Sequence, residues 1–258
     1  MTIAELIVKS SIHVILVKQD ENNPEVIQKP IDFGSGFLLN YLNRTFFVSV
    51  SHVTDKNGLI TTLETNLPFD EKGPILKTIK GICYFDMINF KNVDPVKSSK
   101  DFEDLLQNGK RLDIAFAEIT EPIELMQPEI DFGKFKVEAG SKLPLFMDDA
   151  TTPVEGESYG FYGLIGQDYI GKYLKMTPTF KYGLVYHQTT PYGFYKFLAP
   201  SIVRRKDFEG CSGAPILDSQ GRIAAIACKV ASGTKIIYGF PIQECKRLID
   251  ISLKTGIL

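Results

Sequence analysis

Glu209-Gly210-Cys211-Ser212-Gly213-Ala214-Pro215 runs straight into Ile216-Leu217, then Asp218-Ser219-Gln220-Gly221, then the apolar stretch Ile223 to Cys228. Read locally, a tight glycine-flanked loop leads into a strand, a hairpin turn and a second strand. Gly210 and Gly213 let the backbone fold closely around Ser212, so two N–H groups can converge on one spot. That setting suits a nucleophile. It equally suits a plain turn, because glycine and serine dominate turns everywhere, and the stretch alone does not separate the two.

A serine hydroxyl is a weak nucleophile and needs a base, usually a histidine that a carboxylate orients. The chain has three histidines, His13, His52 and His187. His52 closes the run Thr45-Phe46-Phe47-Val48-Ser49-Val50-Ser51-His52-Val53, and Asp113 heads Asp113-Ile114-Ala115-Phe116 after Arg111-Leu112. The order along the chain is His52, Asp113, Ser212. His13 lies in an apolar strand-like run and reads as a strand-face side chain. His187 lies among Tyr, Val and Thr with no supporting motif and reads as surface or satisfied core.

Four motifs in this order and spacing carry a resemblance: Gly34-Ser35-Gly36-Phe37-Leu38-Leu39, Val50-Ser51-His52-Val53, Leu112-Asp113-Ile114-Ala115 and Gly210-Cys211-Ser212-Gly213-Ala214-Pro215. Together they resemble the trypsin-like, chymotrypsin-fold serine proteases, in particular bacterial members without the vertebrate disulfides. The resemblance spans most of the chain, from about residue 33 to residue 241. It implies an all-β protein of two antiparallel β-barrels with a C-terminal helix. His52 and Asp113 would come from the first barrel and Ser212 from the second. Ser212 would attack a peptide carbonyl, His52 would move its proton, and Asp113 would hold the imidazole tautomer. The N–H groups of Gly210 and Ser212 would form the oxyanion hole.

Two residues depart from that family's pattern. Cys211 stands where an Asp or Asn usually precedes the nucleophile, so no zymogen-type ion pair with a freed N-terminus is expected. Ala227 stands where many members carry a serine, which removes a hydroxyl expected near Asp113. The resemblance also puts Lys206, six residues before Ser212, near the floor of a primary substrate pocket. A lysine there would favour an acidic side chain in the substrate. The other reading is a solvated Arg204-Arg205-Lys206 loop beside a shallow apolar pocket, with Phe208 and Ala227 among its walls. Two other functions remain open: a cysteine protease of viral type using Cys211, and a catalytically inactive binding module on a protease fold.

A hydrophobic share of 44% and a charged share of 23% fit an ordinary globular chain, and 258 residues suffice for one large domain or two small ones. A net charge of −2 gives no reason to expect nucleic acid or an anionic membrane as partner. A polypeptide substrate is the expected partner. No apolar run approaches the ~20 residues that span a bilayer, and Met1-Thr2-Ile3-Ala4-Glu5 lacks the basic start of an export signal. The four cysteines show no metal or disulfide spacing. These features predict a cytoplasmic protein without metal or cofactor.

Taken in order, residues 5–18 read as a strand and 19–30 as a loop. Residues 33–42 and 45–53 read as two strands turning at Asn43-Arg44. Residues 87–112 form a polar connection with room for a short helix from Ser99 to Asn108-Gly109. Residues 111–119 read as a strand. Proline and glycine break the apolar pattern between about 120 and 145, which puts an N-terminal barrel in residues 1–130 and a C-terminal barrel plus helix in 131–258. Ile242, Cys245, Leu248, Ile249 and Leu253 recur at helical spacing after Pro241.

Overall fold

The computed structural model describes residues 1–19, 27–67, 75–85, 88–89, 110–170 and 173–258. The chain opens with a helix, α1 (Ile3–Ser10), where the β-branched residues predict a strand. Thr2 overrides that local preference. Its hydroxyl accepts from the Glu5 N–H while the Glu5 carboxylate accepts from the Thr2 N–H, a reciprocal cap that satisfies two end donors. The strand expected from residue 5 begins only at Ile12.

The first half is an antiparallel sheet of β1 (Ile12–Gln19), β2 (Ile27–Tyr41), β3 (Arg44–Ser49), β4 (Ile60–Glu64), β5 (Leu76–Thr78), β6 (Cys83–Phe85) and β9 (Ile114–Ile119). Its spatial order is β5-β4-β1-β2-β3-β9-β6. Among the described residues its two edges do not meet, so it is a half-barrel and not a closed ring. Residues 27–30, expected in a loop, belong to the start of β2. The turn between β2 and β3 falls on Leu42 and Asn43, one residue earlier than expected, and both have positive φ, 52° and 58°. A small pair, β7 (Ile88–Asn89) with β8 (Lys110–Arg111), precedes β9. The helix expected from Ser99 lies outside the described residues.

Two tiny hairpins make the connection between the halves. β10 (Met126–Gln127) pairs with β13 (Gly140–Ser141), and β11 (Ile130–Asp131) pairs with β12 (Lys136–Val137). β14 (Leu145–Phe146) then returns parallel to β2. The second half is a closed six-stranded barrel, in the order β15 (Ser158–Ile170), β16 (Tyr173–Thr189), β17 (Tyr195–Val203), β20 (Thr234–Pro241), β19 (Ile223–Ala231) and β18 (Pro215–Asp218). The β18–β19 turn is set by Asp218, wholly buried, whose carboxylate accepts from the N–H groups of Gln220 and Arg222 and from the Arg222 guanidinium. The predicted C-terminal helix, here α3 (Ile242–Thr255), is capped by Gly256 in the left-handed region.

The architecture is thus all-β, two barrel-like halves and a C-terminal helix. One apolar cluster unites them. Phe37, Phe46 and Phe116 of the first sheet share it with Leu217 and Phe240 of the barrel and with Cys245, Leu248 and Ile249 of α3. The Tyr41 hydroxyl donates to Asp250 of α3 at 2.8 Å, tying the helix to the first sheet. A second cluster, with Phe161, Phe197, Phe208 and Ala227, fills the closed barrel.

Candidate active site

His52 lies on α2 (Ser51–Thr54), a single helical turn directly after β3. The apolar run ends there because the chain leaves the sheet at Val50. Phe46, Phe47 and Val48 are all fully buried, so β3 is covered on both faces, while His52 is exposed. Asp113 sits just before β9, which pairs with β3, so the ladder brings the two residues side by side. The His52 ring Nδ1 lies 2.7 Å from Asp113 Oδ2. Asp113 Oδ1 accepts from the His52 N–H at 3.1 Å and from the Ser51 hydroxyl at 2.8 Å. Burial pushes the Asp113 carboxyl up, but the His52 ring, the His52 N–H and the Ser51 hydroxyl outweigh it and hold the group below the usual carboxylate range. An ionised carboxylate accepts only, so Nδ1 carries the proton and Nε2 keeps a lone pair.

Ser212 lies in the loop before β18. Its backbone is held by the first half of the molecule: the Ser35 N–H donates to the Ser212 carbonyl at 2.8 Å, and the Ser35 hydroxyl donates to the Gly210 carbonyl at 2.7 Å. Ser49 in turn donates to the Ser35 carbonyl at 2.7 Å. Gly210 and Gly213 have φ of 106° and 94°, and the approach is too close for a side chain. A Cβ on Gly210 would meet the Leu164 carbonyl oxygen at 2.1 Å, and one on Gly213 the Ser35 carbonyl oxygen at 1.9 Å.

The N–H groups of Cys211, Gly213 and Ala214 donate to Phe208, Ala227 and Cys211 carbonyls. Those of Gly210 and Ser212 have no acceptor among the described residues. Two neighbouring free N–H groups on a strained glycine turn can bind an oxyanion.

The Ser212 hydroxyl donates to the Cys228 carbonyl at 3.4 Å and makes no hydrogen bond to His52 among the described residues. Burial first, then the Asp113 charge, raises the Cys228 thiol well above the ordinary range. The Asp113 charge and the Ser212 hydroxyl thus both act on Cys228, the one on its thiol and the other on its carbonyl. Ala227 is buried in the barrel core, and its carbonyl and N–H pair with Gly213 and Ala214.

The residues expected to share a substrate pocket have different surroundings. Lys206 is exposed on the 3-10 turn Arg205–Asp207. Phe208 is buried against Phe161, with the Lys181 ammonium 5.1 Å from its ring centre. His187 is exposed, whereas His13 is buried, with its Nδ1 2.8 Å from Glu64 and its ring stacked on Phe33. Ser51, Ser35 and Cys228 were not singled out by the sequence reading. Their signal was adjacency: Ser51 directly precedes His52, Ser35 is the centre of Gly34-Ser35-Gly36, and Cys228 ends the apolar run after the Ser212 loop.

The chain matches no known protein-family model and no curated protein. No group of potential metal ligands occurs among the described residues, and no described helix is long and apolar enough to cross a membrane.

Proposed function

We propose that the protein is a serine endopeptidase. The observation that carries this reading is the His52–Asp113 pair, anchored at both carboxylate oxygens and leaving Nε2 as a lone pair on an exposed imidazole. Ser212 Oγ attacks the carbonyl carbon of a peptide bond while its proton passes to His52 Nε2. The N–H groups of Gly210 and Ser212 take the negative oxygen. The tetrahedral intermediate collapses, the C–N bond breaks, and the imidazolium gives its proton to the departing amine. Water then repeats the sequence and frees the acid from Ser212. For this, the Ser212 side chain turns from the Cys228 carbonyl toward the imidazole. The bond it leaves is long and weak, and such rotations take picoseconds to nanoseconds at accessible sites.

That same hydroxyl orientation favours a second reading, an inactive module that keeps the architecture and binds without cutting. A nucleophilic Cys211 has nothing in its favour. Its thiol is buried, and burial pushes its pKa up to about 12.

Labelling with a fluorophosphonate, followed by peptide mapping, tests the reading. The adduct is expected on Ser212, lost in Ser212→Ala and slowed by several orders of magnitude in His52→Ala. A folded protein that neither takes up the probe nor cleaves any member of a peptide library refutes it.

A further inference from the structure

We propose that Ser51 is a positioning residue of this site: its hydroxyl fixes the Asp113 carboxylate, and through it the imidazole of His52, for proton transfer. The inference rests on the serine endopeptidase reading. A carboxylate that orients a histidine uses one oxygen for the ring. If the other is loosely held, the group swings about its own bond and the ring follows. Here Oδ2 faces Nδ1 at 2.7 Å, and Oδ1 receives two donors from consecutive residues of one helical turn, the Ser51 hydroxyl at 2.8 Å and the His52 N–H at 3.1 Å.

Ser51 is 3% exposed, so bulk water cannot easily replace its hydroxyl. Its single hydroxyl proton has no other acceptor among the described residues. The opposite wall supplies no substitute. Ala227 has no hydroxyl, and the Cys228 thiol donates to the Tyr238 carbonyl. The donor that the Ala227 departure seemed to remove is therefore delivered from the histidine side of the cleft.

Two consequences separate positioning from mere packing. Without the Ser51 hydroxyl the carboxylate is less well solvated and more basic toward the ring, so imidazolium is favoured. The acid limb of kcat/KM then moves to higher pH. The ring is also less well aimed, so kcat falls, by about tenfold for a hydrogen bond to a charged group. KM stays unchanged, because Ser51 does not touch substrate.

The test uses the full chain carrying Ser51→Ala or Ser51→Thr, with thermal melts to verify folding. A fluorogenic peptide gives kcat, KM and the pH profile. NMR titration of the His52 ring in a Ser212→Ala background needs no turnover. Expected in Ser51→Ala are an unchanged KM, a roughly tenfold lower kcat and a raised His52 titration midpoint, the last two restored toward wild type by Ser51→Thr. A folded Ser51→Ala protein with wild-type kcat and midpoint overturns the proposal. If wild type cleaves nothing and Ser212 takes no fluorophosphonate, the endopeptidase reading has failed and the catalytic role of Ser51 falls with it. The midpoint still reports whether Ser51 holds the dyad.

Discussion

Cys211 tests how far a reactive residue type can be trusted without its surroundings. It stands beside Ser212, yet its side chain points into the barrel, hard against Gly163. With burial raising its pKa to about 12, almost no thiolate exists at neutral pH. Cys211→Ala is expected to keep most of the proposed peptidase activity and to cost about 1 kcal/mol of stability for the lost sulfur contacts. Steady-state kinetics and denaturant melts check both. A folded variant as inactive as Ser212→Ala would move the nucleophile to Cys211. His52 and Asp113, picked out by residue type and chain order, do lie side by side, whereas the Ser212 hydroxyl turns to the Cys228 carbonyl. Counting along the strand fails at Ala227: the β19–β20 register shifts between Ala227 and Lys229, so spacing by twos no longer says which face a side chain takes.

The loop that carries Ser212 is an element whose shape depends on two glycines and a neighbouring strand. Gly213→Ala forces a Cβ to within 1.9 Å of the Ser35 carbonyl oxygen at a φ of 94°. Neither atom can yield, because both belong to backbones joined through the Ser35–Ser212 hydrogen bond. Gly58→Ala is the control: its φ is 72°, but the added carbon meets nothing within 4 Å. The control is expected to cost about 1 kcal/mol of stability. Gly213→Ala is expected to cost about 3 kcal/mol or more and to abolish fluorophosphonate labelling. Equal losses in the two variants, measured by denaturant melts, would deny the loop its dependence on the Ser35 contact. The need for glycine at this loop was legible in the sequence; its cause was not, since Ser35 lies far off in the chain. Among elements, strands with strong apolar runs were legible and α1 was not. Ile3, Ile7 and Val8 favour a strand by propensity. The Thr2–Glu5 box, two residues three apart, decided otherwise.

Whether the halves act as one body depends on what crosses between them, and one buried cation lies near that crossing. The Lys142 ammonium donates to the carbonyls of Val8 and Ser11 and to the Gln127 side chain. Ser11, in turn, donates its hydroxyl to the Tyr162 carbonyl of the barrel at 2.9 Å. One side chain thus joins the end of α1, the start of β1 and the connecting hairpins. Burial pushes its pKa down to about 7, with the Glu64 charge acting in the opposite direction. No sequence pattern points to Lys142, because its partners are backbone oxygens brought together by the whole fold. Lys142→Met keeps the stem and removes every donor. It leaves three acceptors unpaired and Glu64 without the ammonium, at a cost of about 3 kcal/mol. For a chain of this size that lowers Tm by about 6–12 °C. The pH dependence adds a sign. The folded-state pKa, about 7, lies below the ordinary 10.5, so between the two the unfolded chain holds more protons. Stability owed to Lys142 therefore rises as pH goes from 7 toward 10.5 and falls as pH drops through 7. Denaturant melts across that range are expected to show the rise in wild type and its absence in Lys142→Met. A variant that melts with wild type at every pH would mean that α1 and the connecting hairpins are held by their apolar contacts alone.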